Sequence, residues 1–315
     1  MACTLYDIGG VTGIQMVNLS ENATFRVDAA TGESYALRIH RYGYHAHAAI
    51  ASELAWLVDL RENNFVTTPK PVRGLNGDLI QNAQHARMLH PRHVVLFEWE
   101  QGREPGIGEN LTKPFEALGA AAARMHDHVL QWQKPDWFTR HTWNFETALG
   151  EHNPHWGRWR EGLGVNNDMR KIFARTVIKI GERLSVYGQS VGRFGLVHGD
   201  LRLANLLVEG ETIKVIDFDD CGFSWFMYDA ATPLSFYEHE PQVPELIEYW
   251  KAGYRSVRPL TFVDENEIPT FIMFRRLLLV AWIGTRRDTD LAKSMGQEYS
   301  VGTVDLCERY LSATD

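Results

Sequence analysis

Residues 196–208 read LVHGDLRLANLLV, and residues 213–220 read IKVIDFDD. Each stretch contains a short apolar run, at 206–208 and at 213–216, and the polar turn between these runs contains Gly210. Two apolar runs joined by a short glycine-containing turn are typical of a β-hairpin. The sequence therefore predicts a hairpin with polar residues at its open end.

Three polar side chains border this hairpin. Asn205 directly precedes the first run and Asp217 directly follows the second, so both are expected at the same end. Mg²⁺ prefers oxygen ligands and keeps several waters, so one carboxylate, one amide oxygen and the phosphates of a nucleotide suffice to bind it. Asp200 lies in the loop that enters the hairpin, where a carboxylate can orient a hydroxyl group for in-line attack. The pattern indicates phosphoryl transfer.

Each of these residues also has a simpler structural explanation. His198, Gly199 and Asp200 can form a turn that Asn205 caps, and Asp217 can end a strand in solvent. The joint occurrence of these features around one hairpin is much rarer by chance than any single one of them. We therefore interpret the segment as catalytic.

The segment resembles the catalytic and metal-binding loops of the aminoglycoside phosphotransferase family, which includes choline-kinase-like enzymes. The resemblance implies that Asp200 orients the acceptor hydroxyl, that Asn205 and Asp217 bind Mg²⁺, and that His198 and Asp229 support the catalytic loop. It also implies an α+β, bilobal protein-kinase-like fold, with a small antiparallel sheet and one main helix in the N-terminal lobe and a larger, mostly helical C-terminal lobe. ATP is the expected phosphoryl donor, and GTP stays open.

The first third of the chain fits such a small lobe. The runs TFRV at 24–27 and YALRI at 35–39, separated by a polar turn that contains Gly32, show a strand–turn–strand pattern and predict an antiparallel hairpin. Helical spacing of apolar residues over 50–58 predicts a helix after it. Two further apolar runs, at 86–89 and 94–97, are expected to complete the sheet.

The polar, glycine-containing stretch 100–108 indicates the boundary between the two lobes. We predict a nucleotide-binding lobe over residues 1–98 and a catalytic, acceptor-binding lobe over residues 99–315. Apolar residues over 115–129 then recur at helical spacing, so the second lobe is expected to be mostly helical.

The resemblance assigns several residues of the first lobe to the nucleotide. Arg38 lies where a phosphate-contacting lysine is usual, and Glu53 on the predicted helix is its natural partner; the alternative is an ordinary surface ion pair on an exposed strand edge. Arginine stays charged but holds phosphate through a planar fork, so the replacement is not neutral. Ser20 begins the stretch at the position of the nucleotide-covering loop, which has no glycine here. The connector whose backbone is expected to meet the adenine ring consists of Phe97, Glu98 and Trp99.

Composition and charge limit the possible partners and location. The formal net charge of -8 argues against nucleic acid as the main partner. The three cysteines are far apart, which favours a reducing cytoplasm. The start of the chain lacks the pattern of a secretory signal. The most apolar run, 271–283, is too short to span a membrane and contains Arg275 and Arg276, so we expect a buried helix instead.

Two segments are open to more than one interpretation. The region 132–159 contains five tryptophans and is either a loop that covers the helical core or a wall of the substrate site. His45 and His47 are expected in a solvated loop rather than in a metal site.

We therefore predict an ATP- and Mg²⁺-dependent transfer of the γ-phosphoryl group to a hydroxyl of a small metabolite. Acidic residues of the second lobe mildly favour an amine-bearing acceptor: these are Asp219, Asp220, Glu238 and Glu240. One alternative is a Ser/Thr protein kinase, because residues 216–223 also resemble bacterial stress-response kinases. Another is a nucleotide-binding protein that kept the fold and lost catalysis. The acceptor and the oligomeric state stay open.

Overall fold

The structure is a computed structural model that describes residues 1–19, 22–106, 108–210 and 212–314. The chain divides into two compact units. The first unit comprises Met1–Arg103, Gln133–Arg140 and Leu207–Asp219. The second comprises Glu104–Trp132, His141–Leu206 and Asp220–Asp315. The assignment of nucleotide binding and catalysis to the lobes 1–98 and 99–315 stays a prediction.

The described residues form ten strands and nine α-helices. The strands are β1 (Val11–Leu19), β2 (Asn22–Ala29), β3 (Ser34–His40), β4 (Pro71–Val72), β5 (Gln81–Ala83), β6 (Arg92–Glu98), β7 (Phe194–Val197), β8 (Leu206–Glu209), β9 (Thr212–Val215) and β10 (Gly222–Trp225). The helices are α1 (His47–Glu62), α2 (Thr112–Gln131), α3 (Phe145–Leu149), α4 (Asn167–Tyr187), α5 (Tyr228–Ala231), α6 (Val243–Arg255), α7 (Phe262–Thr285), α8 (Asp290–Met295) and α9 (Glu298–Thr314).

The first unit contains a six-stranded antiparallel sheet in the order β1-β2-β3-β6-β4, and β5 also pairs with β6. The predicted hairpin is confirmed as β2 and β3, which pair so that Phe25 lies opposite Leu37. Val27, Leu37 and Leu96 are buried in the core of the sheet. The predicted helix is confirmed as α1, and the catalytic-segment hairpin as β8 and β9.

The prediction of a strand at 86–89 is wrong. Leu89 is 95% exposed, so this apolar residue is not part of a buried pattern. The strand that completes the sheet is β5, whose polar Gln81 pairs with Val94 in β6. Pairing with the neighbouring strand, rather than local hydrophobicity, sets the position of this short strand.

The second unit is mostly helical, as predicted, and α2 and α6 approach each other closely. A Cβ atom on Gly119 of α2 would lie 1.9 Å from the carbonyl oxygen of Trp250, and a Cβ on Gly253 of α6 would lie 1.8 Å from that of Glu116. Real Cβ atoms do not tolerate such contacts, so the two glycines permit this helix crossing.

The most apolar run of the sequence lies inside α7, which is buried as predicted. This helix is long and apolar enough to cross a membrane by length and composition, but 83% of its apolar window is buried inside the protein. Arg275 and Arg276 are each only 1% exposed. Because buried charges require partners, both arginines must be paired within the unit.

The tryptophan-rich region 132–159 is divided between the units: Gln133–Arg140 belongs to the first, and the tryptophans after it belong to the second. Trp143, Trp156 and Trp159 are buried, and Trp137 is 55% exposed. Trp143 donates its indole N–H to the carbonyl of Asp220. The Trp156 ring also lies 5.2 Å from the guanidinium of Arg275, so these indoles pack both in the core and beside the Arg275–Asp200 pair.

Candidate active site

The His-Gly-Asp segment follows β7, which pairs with β10 in the second unit. Gly199 has φ 78°, and a Cβ atom there would lie 2.8 Å from the carbonyl oxygen of Asp220. Only glycine combines this left-handed backbone with such a close approach. The sequence His-Gly-Asp therefore places Asp200 directly after a tight turn at the end of a strand.

Asp229 of α5 forms hydrogen bonds with this turn. Its carboxylate accepts the peptide N–H of Gly199 at 2.9 Å and that of His198 at 3.0 Å. A ring nitrogen of His126, Nε2, also lies 3.2 Å from Asp229, and Nδ1 lies 3.0 Å from the Tyr254 hydroxyl. Burial lowers the pKa of His126, so the ring is neutral at neutral pH and donates to Asp229.

The carboxylate of Asp200 is nearly buried and is held by three side chains. Arg202 Nε donates to both oxygens at 3.0 Å, and Arg275 Nη2 lies 2.5 Å from Oδ1. Asn205 Nδ2 donates to Oδ2 at 3.0 Å and to the carbonyl of Asp200 at 2.8 Å. Burial opposes ionisation of Asp200, but the two guanidiniums outweigh it and hold the pKa of this carboxyl below its usual value. Asp200 is therefore an oriented, charged acceptor of hydrogen bonds.

In the first unit, Arg38 of β3 is surrounded by carboxylates. Its Nη1 lies 2.6 Å from Glu53 Oε1 of α1, and its Nη2 lies 3.6 Å from Asp217 Oδ1. Arg38 is 7% exposed and Glu53 is fully buried, so the alternative of a surface ion pair is wrong. The planar fork of arginine lets one side chain face both carboxylates, which a single ammonium cannot do as well.

Asp219 lies beside this pair. Its Oδ1 is 3.8 Å from Arg38 Nη1, 3.5 Å from His45 Nε2 and 4.0 Å from His40 Nδ1. Burial opposes ionisation of Asp219, but His45 and Arg38 hold the pKa of this carboxyl well below its usual value. Burial, together with Arg38, lowers the pKa of His40 to about 3. The expectation of a solvated His45 is wrong, because its side chain is only 7% exposed.

The predicted adenine connector lies at the end of β6. The peptide N–H of Glu98 donates to the carbonyl of Lys70, and that of Trp99 donates to Ser34. These two donors are used within the first unit, so the predicted contact with adenine rests on the remaining backbone groups of the segment. The ring of Phe97 packs against the guanidinium of Arg38 at 5.2 Å. Ser20 lies outside the described residues.

A comparison with known families agrees with this geometry. The model of the phosphotransferase enzyme family matches residues 17–260, which is more than half of the chain and includes Asp200, Asn205, Asp217 and Asp229. The chain belongs to the phosphotransferase enzyme family. The resemblance stated from the sequence is therefore confirmed.

The chain is also similar to three kinases. The solved structure of a microcompartment-associated aminopropanol kinase is 40% identical, with a TM-score of 0.91 and coverage of 99% of this chain and 96% of that chain. A homoserine kinase of Hyphomonas neptunium is 27% identical over 241 residues, which are 71% of this chain and 67% of that protein. An amicoumacin kinase, solved with AMP-PNP and Ca²⁺, has a TM-score of 0.78 at 22% identity and covers 96% of this chain and 91% of that chain.

These comparisons bear on the predictions made from the sequence. The predicted α+β, protein-kinase-like fold is confirmed, and the chain is a phosphotransferase. The three relatives are kinases named for small molecules, so the alternatives of a Ser/Thr protein kinase and of a non-catalytic protein are not favoured. The ATP analogue and divalent ion in the amicoumacin kinase agree with the predicted use of ATP and Mg²⁺.

Arg275 is a site residue that the sequence interpretation missed. It was expected only to interrupt an apolar run, yet it binds Asp200 and donates to the Tyr228 hydroxyl at 2.8 Å and to the carbonyl of Gly199 at 3.3 Å. Burial raises the pKa of Tyr228 to about 12, so its hydroxyl stays protonated. A signal was present in the sequence, because an arginine inside a buried apolar helix must have a specific partner.

We expect replacement of Arg38 by methionine to destabilise this phosphotransferase strongly. Arg38→Met leaves the Glu53 carboxylate fully buried without its partner. Breaking a buried ion pair from one side lowers the free energy of unfolding by about 3–5 kcal/mol. Chemical denaturation measures this loss.

The matched control for this prediction removes both charges. Because an apolar pair often replaces a buried ion pair at little cost, Arg38→Met combined with Glu53→Met is expected to be more stable than Arg38→Met alone. Additive losses in the double variant would show that the two side chains do not compensate each other.

Proposed function

We propose that this phosphotransferase transfers the γ-phosphoryl group of ATP to the hydroxyl of a small amino alcohol. The acceptor oxygen forms a bond to the γ-phosphorus, the bond from that phosphorus to its bridging oxygen breaks, and ADP leaves with the electron pair. The hydroxyl proton is directed toward Asp200 as the new bond forms.

The orientation of Asp200 is the observation that carries this proposal. Arg202, Arg275 and Asn205 hold its carboxylate in one position, and Asp229 holds the preceding turn. Positioning contributes most of the catalysis in phosphoryl transfer, because the protein has little covalent chemistry to perform. The pKa of Asp200 lies below its usual value, so its role is to align the hydroxyl rather than to remove a proton early.

The donor atoms of Asn205 and Asp217 suit Mg²⁺. Asn205 uses its Nδ2 on Asp200, so its amide oxygen is the atom that can bind a cation. The Asp217 side chain is 43% exposed, and φ at this residue is 61°. One carboxylate and one amide oxygen, completed by phosphate and water, form a normal Mg²⁺ ligand set. When bound, the ion neutralises charge on the phosphates.

We assign the nucleotide phosphates to Arg38 and the adenine to the segment of Phe97, Glu98 and Trp99. Glu53 and Asp219 keep the Arg38 guanidinium in place. Ser20 keeps its proposed role in covering the nucleotide, on the basis of its sequence position alone. GTP stays an alternative donor.

The proposal that the acceptor carries an amine rests mainly on the similarity to an aminopropanol kinase over 99% of the chain. Two of the acidic residues from which the sequence favoured an amine-bearing acceptor lie next to arginines in the structure. Asp219 lies beside Arg38, and Glu238 is buried in an ion pair with Arg276 at 2.6 Å. The class of acceptor is therefore a small alcohol, and the amino alcohol is its first candidate.

We also propose the cytoplasm as the location, with neither nucleic acid nor a membrane as a partner. Cys3, Cys221 and Cys307 are free and buried, which suits a reducing compartment. The net charge of -8 does not favour a nucleic-acid surface.

The test is Mg²⁺-dependent ATP consumption with a panel of acceptors. The panel contains aminopropanol, ethanolamine, homoserine, an amino sugar and a generic protein. We expect turnover to be stimulated by the amino alcohols, and the stimulated turnover to be lost in Asp200→Ala. Stimulation by the protein alone would support the protein-kinase alternative, and turnover that survives in Asp200→Ala would contradict the proposed mechanism.

A further inference from the structure

The loop of residues 235–238 in the second unit is held from α7 by the arginine that also binds the catalytic carboxylate. Arg275 Nε donates to Ser235 Oγ at 3.0 Å, and Nη2 of the same guanidinium contacts Asp200. Ser235 Oγ in turn donates to the carbonyl of Thr232 at 2.7 Å. The start of the loop is therefore fixed relative to Asp200.

The adjacent arginine fixes the end of the same loop. Arg276 Nη1 lies 2.6 Å from Glu238 Oε2, and the Tyr299 hydroxyl donates to Glu238 Oε1 at 3.0 Å. Arg276 also donates to the carbonyl of Tyr299 and to Thr303, both at 2.8 Å. Since Arg276 and Glu238 are buried, this end of the loop cannot move without exposing or unpairing charge.

Phe236 lies between these two fixed points and has a strained backbone. Its φ is 79°, and among the described residues it is the only aromatic one with a positive φ; the other non-glycine cases are Asn64, Asn153 and Asp217. A bulky side chain is disfavoured in this conformation, whereas asparagine and aspartate tolerate it better. Such strain persists only where the surroundings impose it, and it concentrates at ligand-binding positions.

The ring of Phe236 is directed to the neighbourhood of the catalytic carboxylate. It is half-buried, although the residues on either side of it are buried. The guanidinium of Arg202, which binds Asp200, lies 5.7 Å from the centre of the ring. Trp282 and Tyr299 contact the ring at 6.2 Å and 5.9 Å between centroids. Phe236 thus forms an apolar surface beside the Arg202–Asp200 pair.

We propose that Phe236 is a specificity-determining residue whose ring contacts the carbon skeleton of the acceptor. The inference rests on the proposed function. Arg275 and Arg276 hold the loop on either side of Phe236 and so fix its left-handed backbone. Helix α7 therefore supplies a partner for Asp200 and also positions the ring that would contact the acceptor. The ring distinguishes small alcohols by the volume of their apolar part, and the Asp200 carboxylate aligns their hydroxyl group.

The test compares two acceptors that differ by one carbon. The ratio of kcat/KM for aminopropanol to kcat/KM for ethanolamine is measured at saturating ATP in the unchanged protein, in Phe236→Ala and in Phe236→Gly. One methyl or methylene group in an apolar pocket changes kcat/KM by about 10- to 200-fold, so we expect this ratio to fall about tenfold in both variants. The KM for ATP is expected to stay unchanged.

The glycine variant separates the loss of the ring from damage to the fold. Glycine adopts a positive φ without penalty, so Phe236→Gly removes the ring while relieving the backbone. Phe262→Ala is the matched control, because Phe262 is a 77% exposed phenylalanine at the start of α7 and its loss should leave the ratio unchanged.

The possible outcomes separate this inference from the proposed function. An unchanged ratio in folded Phe236→Gly would overturn the specificity role alone. Phosphorylation of neither amino alcohol by the unchanged protein would overturn the proposed function, and the specificity role with it. A reduced ratio that also appears in Phe262→Ala would likewise refute the assignment to Phe236.

Discussion

Asp200→Ala is expected to lower turnover by about 10²- to 10⁴-fold, the usual contribution of a positioned general base. The structure explains why one carboxylate has this effect. Asp200 is held by Arg202, Arg275 and Asn205, so its oxygens point in fixed directions when the acceptor arrives. Nucleotide binding is expected to stay largely intact, because the Arg38–Glu53 pair does not involve this residue.

The alanine variant also leaves the buried Arg275 without its carboxylate partner, which lowers stability. Asp200→Asn also removes the charge, but its amide keeps the shape of the side chain and one oxygen that can accept a hydrogen bond from a guanidinium. We expect both variants to lose turnover to a similar extent, with Asp200→Asn the more stable in thermal unfolding. Asp168→Ala serves as the control, since the Asp168 side chain is an 86% exposed carboxylate on α4. Near-normal turnover in Asp200→Asn would refute the role of the carboxylate.

Asp217→Asn is expected to weaken Mg²⁺-dependent nucleotide binding as well as turnover. Loss of even an outer partner of a metal ligand costs about 10- to 100-fold in affinity, and removal of a ligand charge should cost at least as much. Asparagine tolerates the positive φ of residue 217, so the variant changes the charge with little backbone strain. The buried contact between Arg38 and Glu53 stays in place, which protects the fold of the first unit.

Calorimetric titration with AMP-PNP, with and without Mg²⁺, measures this effect directly. The unchanged protein should bind the nucleotide more tightly with Mg²⁺, and Asp217→Asn should lose that difference. Glu62→Ala is the control, because Glu62 is an exposed carboxylate at the end of α1 in the same unit. A normal Mg²⁺ response of Asp217→Asn would remove Asp217 from the metal site.

Much of the fold followed from local patterns. The hairpins β2–β3 and β8–β9 were predicted from alternating or short apolar runs around turns, and α1, α2 and the buried part of α7 from helical spacing. The prediction of a strand at 86–89 was wrong, and the predicted first hairpin did not include β1. Residues of β1 are mostly exposed on both faces, so they show no alternation that a pattern could reveal.

Only part of the candidate site could be proposed from the sequence. The order His198, Gly199, Asp200 and Asn205 is a short, local motif, and short motifs are readable because the residues that act together are neighbours in the chain. The burial of Arg38 and His45 was not readable in this way. Whether a charged side chain on a strand or loop is exposed depends on which helix or hairpin packs over it.

The sequence alone indicated the chemistry of this chain, because a turn, a carboxylate, an amide and a second carboxylate around one hairpin form a short motif typical of phosphoryl transfer. The sequence did not show which side chains pair with these groups in the folded protein. Arg275 binds Asp200 across 75 positions of sequence, and Arg276 binds Glu238 across 38. Such pairs form only when helix packing excludes water and leaves buried charges no other partners, so the tertiary structure alone selects them.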